Sequence, residues 1–446
     1  MKLRKLLLIA SALVAAPTAA RAQASGSEVE SLRAEVQALK DQLAAISAKV
    51  DANEAAAKAK AAADAKKPAA SEVKWKGGPE TSSPDGFTFK PRGRAQIDLG
   101  VVNAPNNIVL PAASLGTATE FRRIYLGAEG TLPGGFGYRV EADIANSTVN
   151  LTDVWLTYKT GKATVTAGQH KTFSGLEEIT SDLFTTFQER AAFNSAFNFE
   201  RRVGLSVAYA DKDFLVQGGV FAANAADLNA DSNNSYSVDG RVVYSPKIGK
   251  GQLHLGASAH MRDFNDATPN ARYRARPFVH TTDVRFVDTK AFSAQGERSF
   301  GLEAAYINGP FHATVEGHRL TADRIGLANP TFQGGYAELG MFLTSGDTIG
   351  YKGGAYDRTK PSKPVNKGGI GAIQLSGRYD YLDLNDAGII GGKQSTYGLS
   401  LIWIPIEYVR FIANYGHLEL RDSPVKAGLS GNYGADSFGL RAQVDF

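Results

Sequence analysis

The stretch Phe87-Thr88-Phe89-Lys90-Pro91-Arg92-Gly93-Arg94-Ala95-Gln96-Ile97-Asp98-Leu99 alternates between two kinds of residue. One face carries Phe87, Phe89, Ala95, Ile97 and Leu99. The other carries Lys90, Arg92, Arg94, Gln96 and Asp98. A period of two belongs to a β-strand with unlike faces. The pattern returns in Phe136 to Ile144, Val203 to Tyr209, Tyr397 to Trp403, Val409 to Tyr415 and Phe438 to Phe446. About 16 such segments lie between residues 86 and 446.

A soluble sandwich and a membrane barrel both alternate, so the character of each face decides. A sandwich buries its apolar face, whereas a barrel shows it to lipid with aromatic residues near both ends. Here Phe, Tyr or Trp begins or ends many apolar rows, and the opposite face carries Arg, Lys, Asp, Glu and Gly. The final residue, Phe446, is aromatic and on the apolar parity. These features predict an all-β fold, a transmembrane antiparallel β-barrel of about 16 strands over residues 86–446. The tight connections at Pro133-Gly134-Gly135, Thr160-Gly161 and Ala210-Asp211-Lys212 suit the periplasmic side. The long ones at 171–200, 223–235, 263–295 and 345–369 are expected outside.

Before the barrel the period changes. Residues 1–22 read as a cleaved signal peptide, with basic Lys2, Arg4 and Lys5, an apolar run from Leu6 to Ala16, and a cleavage site at Ala20-Arg21-Ala22. That run is far shorter than the roughly 20 residues that span a bilayer. Residues 23–70 are expected to form an arm. Val29, Leu32, Val36, Leu39, Leu43, Ile46 and Val50 are spaced alternately three and four apart, a periplasmic coiled-coil seam of about three heptads. An amphipathic helix packed on a domain gives the same spacing, but no neighbouring segment offers a helical partner. The Ala/Lys-rich continuation to residue 70 reads as a partly helical spacer, and residues 71–85 as a linker.

Composition narrows the function. The net charge of +4 falls to zero when Lys2, Arg4, Lys5 and Arg21 leave with the signal peptide, so nucleic acid is not an expected partner. The absence of cysteine removes disulfides, thiol chemistry and the commonest zinc sites. With 47 Gly, 23 Phe and 17 Tyr against 3 Met, the chain suits strands and turns. Catalytic sets are weak: Glu177 and Glu178 point to opposite faces if extended, which disfavours paired acid/base work. His254, His260, His312 and His318 share the polar parity without a three-ligand metal spacing. Neither cofactor nor metal is expected, and the chain is not read as an enzyme.

Several stretches in fixed order carry a resemblance. They are Phe89 to Asp98, Phe121-Arg122-Arg123 through Thr131, Gly168-Gln169 through Glu189-Arg190, Tyr273 to Pro277, Phe342 to Gly346, Arg378-Tyr379 and Val444-Asp445-Phe446. Over residues 86–446 the sequence resembles the phosphate-selective and polyphosphate-selective porins of the outer membrane. The resemblance implies a 16-stranded homotrimer with inwardly folded third and fifth external loops. It also implies an arginine ladder for anions, carried here by Arg94, Arg122, Arg123, Arg190, Arg272, Arg274 and Arg276, and a constriction at Asp153, Glu178 and Leu183. Alternation places Arg272, Arg274 and Arg276 on one side of an extended segment, suited to passing an anion between guanidinium forks.

The sequence departs from the family at Glu178 and Leu183, where phosphate channels carry lysine. The third loop holds Glu177, Glu178, Asp182, Glu189 and Glu200 against Arg190 alone. A carboxylate about 4 Å from a bound anion opposes it by roughly 1 kcal/mol in water and more in a dry constriction. Arginines from Arg201, Arg202 or the strands would neutralise these acids and pin the loop to the wall. The expected function is passive diffusion of small hydrophilic solutes, chiefly anions, with phosphate or polyphosphate preference as the sharper version. Expected partners are outer-membrane lipid, a homotrimer and a possible peptidoglycan contact by the arm. A structural alternative makes the barrel an anchor tethered to the cell wall; deleting residues 25–70 separates the two.

Overall fold

The computed structural model describes residues 26–65, 71–75, 77–110, 115–228, 234–265 and 269–446. The expected signal peptide lies outside the described residues. Sixteen long strands, counted among the described residues, build one antiparallel barrel. The first eight are β1 (Thr88–Asn103), β2 (Gly116–Leu132), β3 (Phe136–Asp143), β4 (Asn150–Thr160), β5 (Ala163–Lys171), β6 (Arg201–Asp211), β7 (Phe214–Phe221) and β8 (Tyr236–Tyr244). The second eight are β9 (Gly251–Asp263), β10 (Gly296–Asn308), β11 (Phe311–Asp323), β12 (Thr331–Phe342), β13 (Ala372–Asp386), β14 (Ile389–Ile406), β15 (Val409–Arg421) and β16 (Tyr433–Asp445).

The sheet closes where β16 pairs back on β1, with Arg441 opposite Asp98 and Val444 opposite Ala95. Closure leaves the long strands no free edge, which a bilayer interior demands of any sheet. The terminal aromatic completes the seam. Phe446 donates its amide to the Gly93 carbonyl at 2.9 Å, and Gly93 returns the bond at 3.2 Å. A Cβ on Gly93 would stand 2.1 Å from the Phe446 ring, so glycine is what lets the ring lie there.

The two faces sort as the alternation predicts. Ile97, Phe121, Leu205, Val207, Leu399 and Leu401 are exposed on the outer wall, while Gln96, Asp98, Ser206 and Ser400 are buried inward. Aromatic pairs on neighbouring strands mark the tight-turn end: Phe136 with Tyr158 at 4.9 Å, Phe214 with Tyr244 at 4.7 Å, and Trp403 with Phe411 at 5.4 Å between centroids. Such a girdle sits at the membrane–water boundary.

The connections correct one expectation. Residues 345–369, expected outside with the other long connections, leave the barrel at the opposite end from them. Phe311 follows the tight turn 309–310 and pairs beside Met341, and the Phe342 amide bonds the Pro310 carbonyl at 2.9 Å. The connection 343–371 therefore leaves at the end that carries the tight turns and the C-terminus. Strand parity decides the side, whereas loop length, the cue available in the sequence, does not. The connection at the opposite end, between β13 and β14, is tight, with Ala387 and Gly388 at positive φ. The 343–371 segment forms a hairpin, Gly350–Lys352 with Ala355–Asp357, that folds into the lumen. Tyr351 reaches His254 at 2.6 Å, and Arg241 donates to the Gly354 carbonyl at 2.8 Å.

The stretch expected as a linker also carries structure. Glu72–Trp75 pairs with Pro79–Ser82, which in turn pairs with the start of β1 through Thr81 and Phe89. Residues 26–65 form a separate unit, the 40-residue helix α1 (Gly26–Ala65). Its seam residues from Val29 to Val50 are all exposed, Leu43 at 73%. The helix runs on through the Ala-rich stretch after residue 50, where alanine's high helix propensity sustains it without an apolar face.

Candidate functional site

Two external loops and the hairpin from the opposite end fill the lumen. The loop between β5 and β6, residues 172–200, carries α2 (Leu176–Ile179) and α3 (Ala192–Ala196). Its Phe187, Phe193 and Phe197 are fully buried, each contributing roughly 1.5–3 kcal/mol by burial. Gly175 turns the chain into the barrel at φ +130, where a Cβ would stand 2.1 Å from Glu316.

Wall arginines then hold the loop. Arg378 on β13 donates to Glu177 at 2.6 Å and to Glu338 at 2.7 Å, with Phe187 and Tyr336 against its guanidinium. Glu177 also accepts the Ala191 amide at 2.9 Å and the Asn194 side chain at 2.7 Å. Arg441 donates to the Gln188 carbonyl at 2.6 Å, and Arg410 to the carbonyls of Leu183 and Thr185. The loop between β9 and β10 lies against this one through Phe278, whose ring is 5.7 Å from Phe187.

Two cavities remain. The outer one, about 330 Å³, is lined by both loops and by Arg122, Arg123, Arg190, Arg274, Arg276 and Arg285. The inner one, about 640 Å³, lies toward the hairpin and is lined by Arg92, Arg94, Arg139, Arg201, Lys352 and Arg358, among others. Arg123, Asp182 and Arg190 line both and form the seam between them. Cations outnumber acids on each side: six Arg against Glu178, Asp182, Glu189 and Asp380 outside, and nine Lys and Arg against Asp153, Asp182 and Asp357 inside. That surplus makes the path favourable to anions.

Each residue singled out from the sequence has a definite place. Arg94 lines the inner cavity and pairs with Asp182. Arg123 reaches the same carboxylate at 2.6 Å. Arg122 grips Glu189 with two bonds, at 2.9 and 3.1 Å, and Arg441 shares that acid at 2.9 Å. Arg190 stands 3.4 Å from Glu178, which lines the outer cavity and is also 3.6 Å from Lys171. Asp153 takes a bidentate grip from Arg201 at 3.0 and 3.1 Å and lines the inner cavity with Leu183. Arg202 pairs with Glu200 at 3.4 Å.

The run Arg272, Arg274, Arg276 does not act as one unit. Arg272 is taken by Asp288 at 2.6 Å and lies off the cavity, while Arg276 meets Asp283 at 2.7 Å. Among the described residues Arg274 has no ion-pair partner, and its guanidinium faces the outer cavity. Arg285, unmarked by any alternation in the sequence, joins it there; burial and the charges of Arg276 and Arg274 push its pKa down to about 10. Burial works against the carboxylates of Asp182 and Glu189. Even so, Arg123, Arg94 and Arg190 around the first, and Arg122 and Arg441 around the second, hold both well below the ordinary carboxylate range. Lys352 and Arg358 lie in the connection 343–371 and carry no signal in the sequence that singles them out. Among the described residues no group of three or more His, Cys, Asp or Glu is arranged to hold a metal ion.

Comparison with known proteins agrees with this architecture. A 386-residue alignment to an uncharacterized protein of Caulobacter vibrioides shows 46% identity and covers 84% of this chain and 77% of the relative. Porin O of Pseudomonas aeruginosa is 27% identical over 77% of this chain and 86% of its own length. Among solved structures, OmpT of Vibrio cholerae superposes with a TM-score of 0.52 at 12% identity, covering 82% of this chain and 99% of that one. An anion-selective porin from Comamonas acidovorans gives 0.50 at 14% identity, covering 81% and 100%. These low identities speak for the fold. The family model for phosphate-selective porin O and P matches residues 89–446, nearly the whole barrel, and the chain belongs to that family of outer-membrane channels.

Proposed function

We propose that this chain is a homotrimeric outer-membrane porin through which small oxyanions, phosphate among them, diffuse passively. The observation that carries the reading is the surplus of cations in both cavities, with Arg274, among the described residues, lining the outer one without an ion-pair partner. A narrow path with low-dielectric walls focuses such a field on the passing ion. Selection is by field and size, and no bond is made or broken. Family membership supports solute passage. The trimer form solved for the OmpT neighbour, and the anion selectivity of the Comamonas porin, point the same way.

Each acid of the third loop faces an arginine or lysine, so the loop lowers the field without reversing it. The selectivity expected is therefore moderate. Adding phosphate to one side of a planar bilayer holding the purified protein in KCl tests the oxyanion part. A concentration-dependent block of chloride current is expected, and an unchanged current overturns it. No channels at all would overturn transport and leave the anchor, for which deletion of residues 25–70 would spare the barrel and weaken the envelope.

A further inference from the structure

The Asp182 carboxylate occupies a place built for an anion. It stands on the seam between the two cavities, as do Arg123 and Arg190. One oxygen meets Arg94 and the other meets Arg123 at 2.6 Å, so guanidiniums from two adjacent strands clasp it from both sides. The charges of Arg190 and Lys171 also act on Asp182; Arg190 donates to the carbonyls of Glu177 and Thr180 at 3.0 and 2.9 Å, Lys171 donates to those of Glu178 and Thr180, and their own carboxylate, Glu178, is 3.4 and 3.6 Å away. Two further acids are near: Glu141, 3.7 Å from Arg94, and Glu189, whose charge acts on Arg123. Asp182 belongs to a loop segment, while Arg94 and Arg123 are fixed on β1 and β2. The loop thus inserts the acid between two arginines that closed strands hold in place.

We infer that Asp182 is a tethered competitor, seated in a cryptic oxyanion site formed by Arg94, Arg123 and Arg190. An oxyanion crossing the seam binds there by displacing this side chain. Without the Asp182 carboxylate, Arg94 and Arg123 lose the acid nearest to them, and the site becomes more positive by one charge. Two guanidinium forks aimed at separate oxygens suit a ligand with at least two oxygens on one centre. A covalently held competitor weakens capture of the incoming ion and speeds its release, which a conducting channel needs. The acid remains ionised through the neutral range, since the surrounding arginines hold its pKa well below the ordinary value, so mild acidification does not empty the site.

This inference rests on the oxyanion reading above, and its test separates the two. Inorganic phosphate is titrated against chloride current through the wild-type protein and the Asp182→Asn variant. The variant is expected to be blocked at a concentration at least tenfold lower, with channels still forming. Asp182→Glu keeps the charge and is expected to block within about threefold of wild type. Should the Asn variant fail to assemble, Asp182→Ser gives the same readout. An Asn or Ser variant with larger conductance and an unchanged or weaker block would show that Asp182 merely braces the loop, and the inference would fall. Equal tightening in the Glu variant would also overturn it, because charge would not be what competes. Wild-type channels that prefer cations would instead defeat the oxyanion reading itself.

Discussion

The lumen is narrowed from both ends, and the two intruding segments are held by different chemistry. The external loop 172–200 is fastened by charge: Glu177 to Arg378, Asp182 to Arg94 and Arg123, Glu189 to Arg122 and Arg441. In each pair the loop supplies the acid and the wall the base. The hairpin at 350–357 is held mostly by neutral contacts, through Tyr351 to His254, Tyr356 to Thr314 and the Gly354 carbonyl to Arg241. Its Lys352 and Asp357 line the inner cavity, as does the following Arg358, which donates to the Asp445 carboxylate at 3.1 Å. One segment subtracts charge from an arginine-rich wall, and the other brings Lys352 and Asp357 in equal number. The field in the channel is set by the wall, the loop's acids and the hairpin together, and most of the acid-sensitive pairs belong to the loop.

The sharpest way to break this contrast is Arg378→Ala. It strands Glu177 of the loop and Glu338 of the wall without that cation, at a cost of about 3–5 kcal/mol. Urea unfolding in detergent should show the loss, with larger and noisier conductance as the loop loosens. Acid is the next lever. Asp182 and Glu189 titrate below their ordinary values of 3.8 and 4.5, so their stabilisation is complete above that range and is lost as pH falls through the folded values. The unfolding midpoint should drop as pH falls below about pH 4. A midpoint unchanged down to about pH 3 would mean that these ion pairs do not hold the loop. Lys352→Glu makes the hairpin acidic and should lower anion preference without changing stability, read from the zero-current potential. Tyr356→Phe removes one hydroxyl bond to Thr314 and should cost only about 1 kcal/mol, with selectivity unchanged.

How far the sequence foretold these regions follows from the range of the interactions. Alternation is local, so Phe87 to Leu99 announced β1 and Phe438 to Phe446 announced β16. The a/d spacing announced a helix from Val29 to Val50. The acids of the third loop were legible as a group, and neutralisation by strand arginines was one of the readings they allowed. Which arginine meets which acid was not legible. Arg94 and Asp182 are 88 residues apart, Glu177 and Arg378 are 201 apart, and Asp98 and Arg441 are 343 apart. Only the closed barrel brings them together. Arg272, Arg274 and Arg276 do alternate, but Asp288 removes the first from the path, a contact made by the return of the same loop. The side of residues 343–371 was misread because length is a tendency, while strand parity is geometry.

The central claim is that wall arginines outweigh the loop's carboxylates along the whole path. The zero-current potential of the wild-type protein across a planar bilayer, under a KCl gradient at neutral pH, measures this balance directly. The account predicts a potential of the sign set by chloride, moving toward zero as salt screens the lumen. A potential of the sign set by potassium would contradict it and show that Glu178, Asp182 and Glu189 govern the channel.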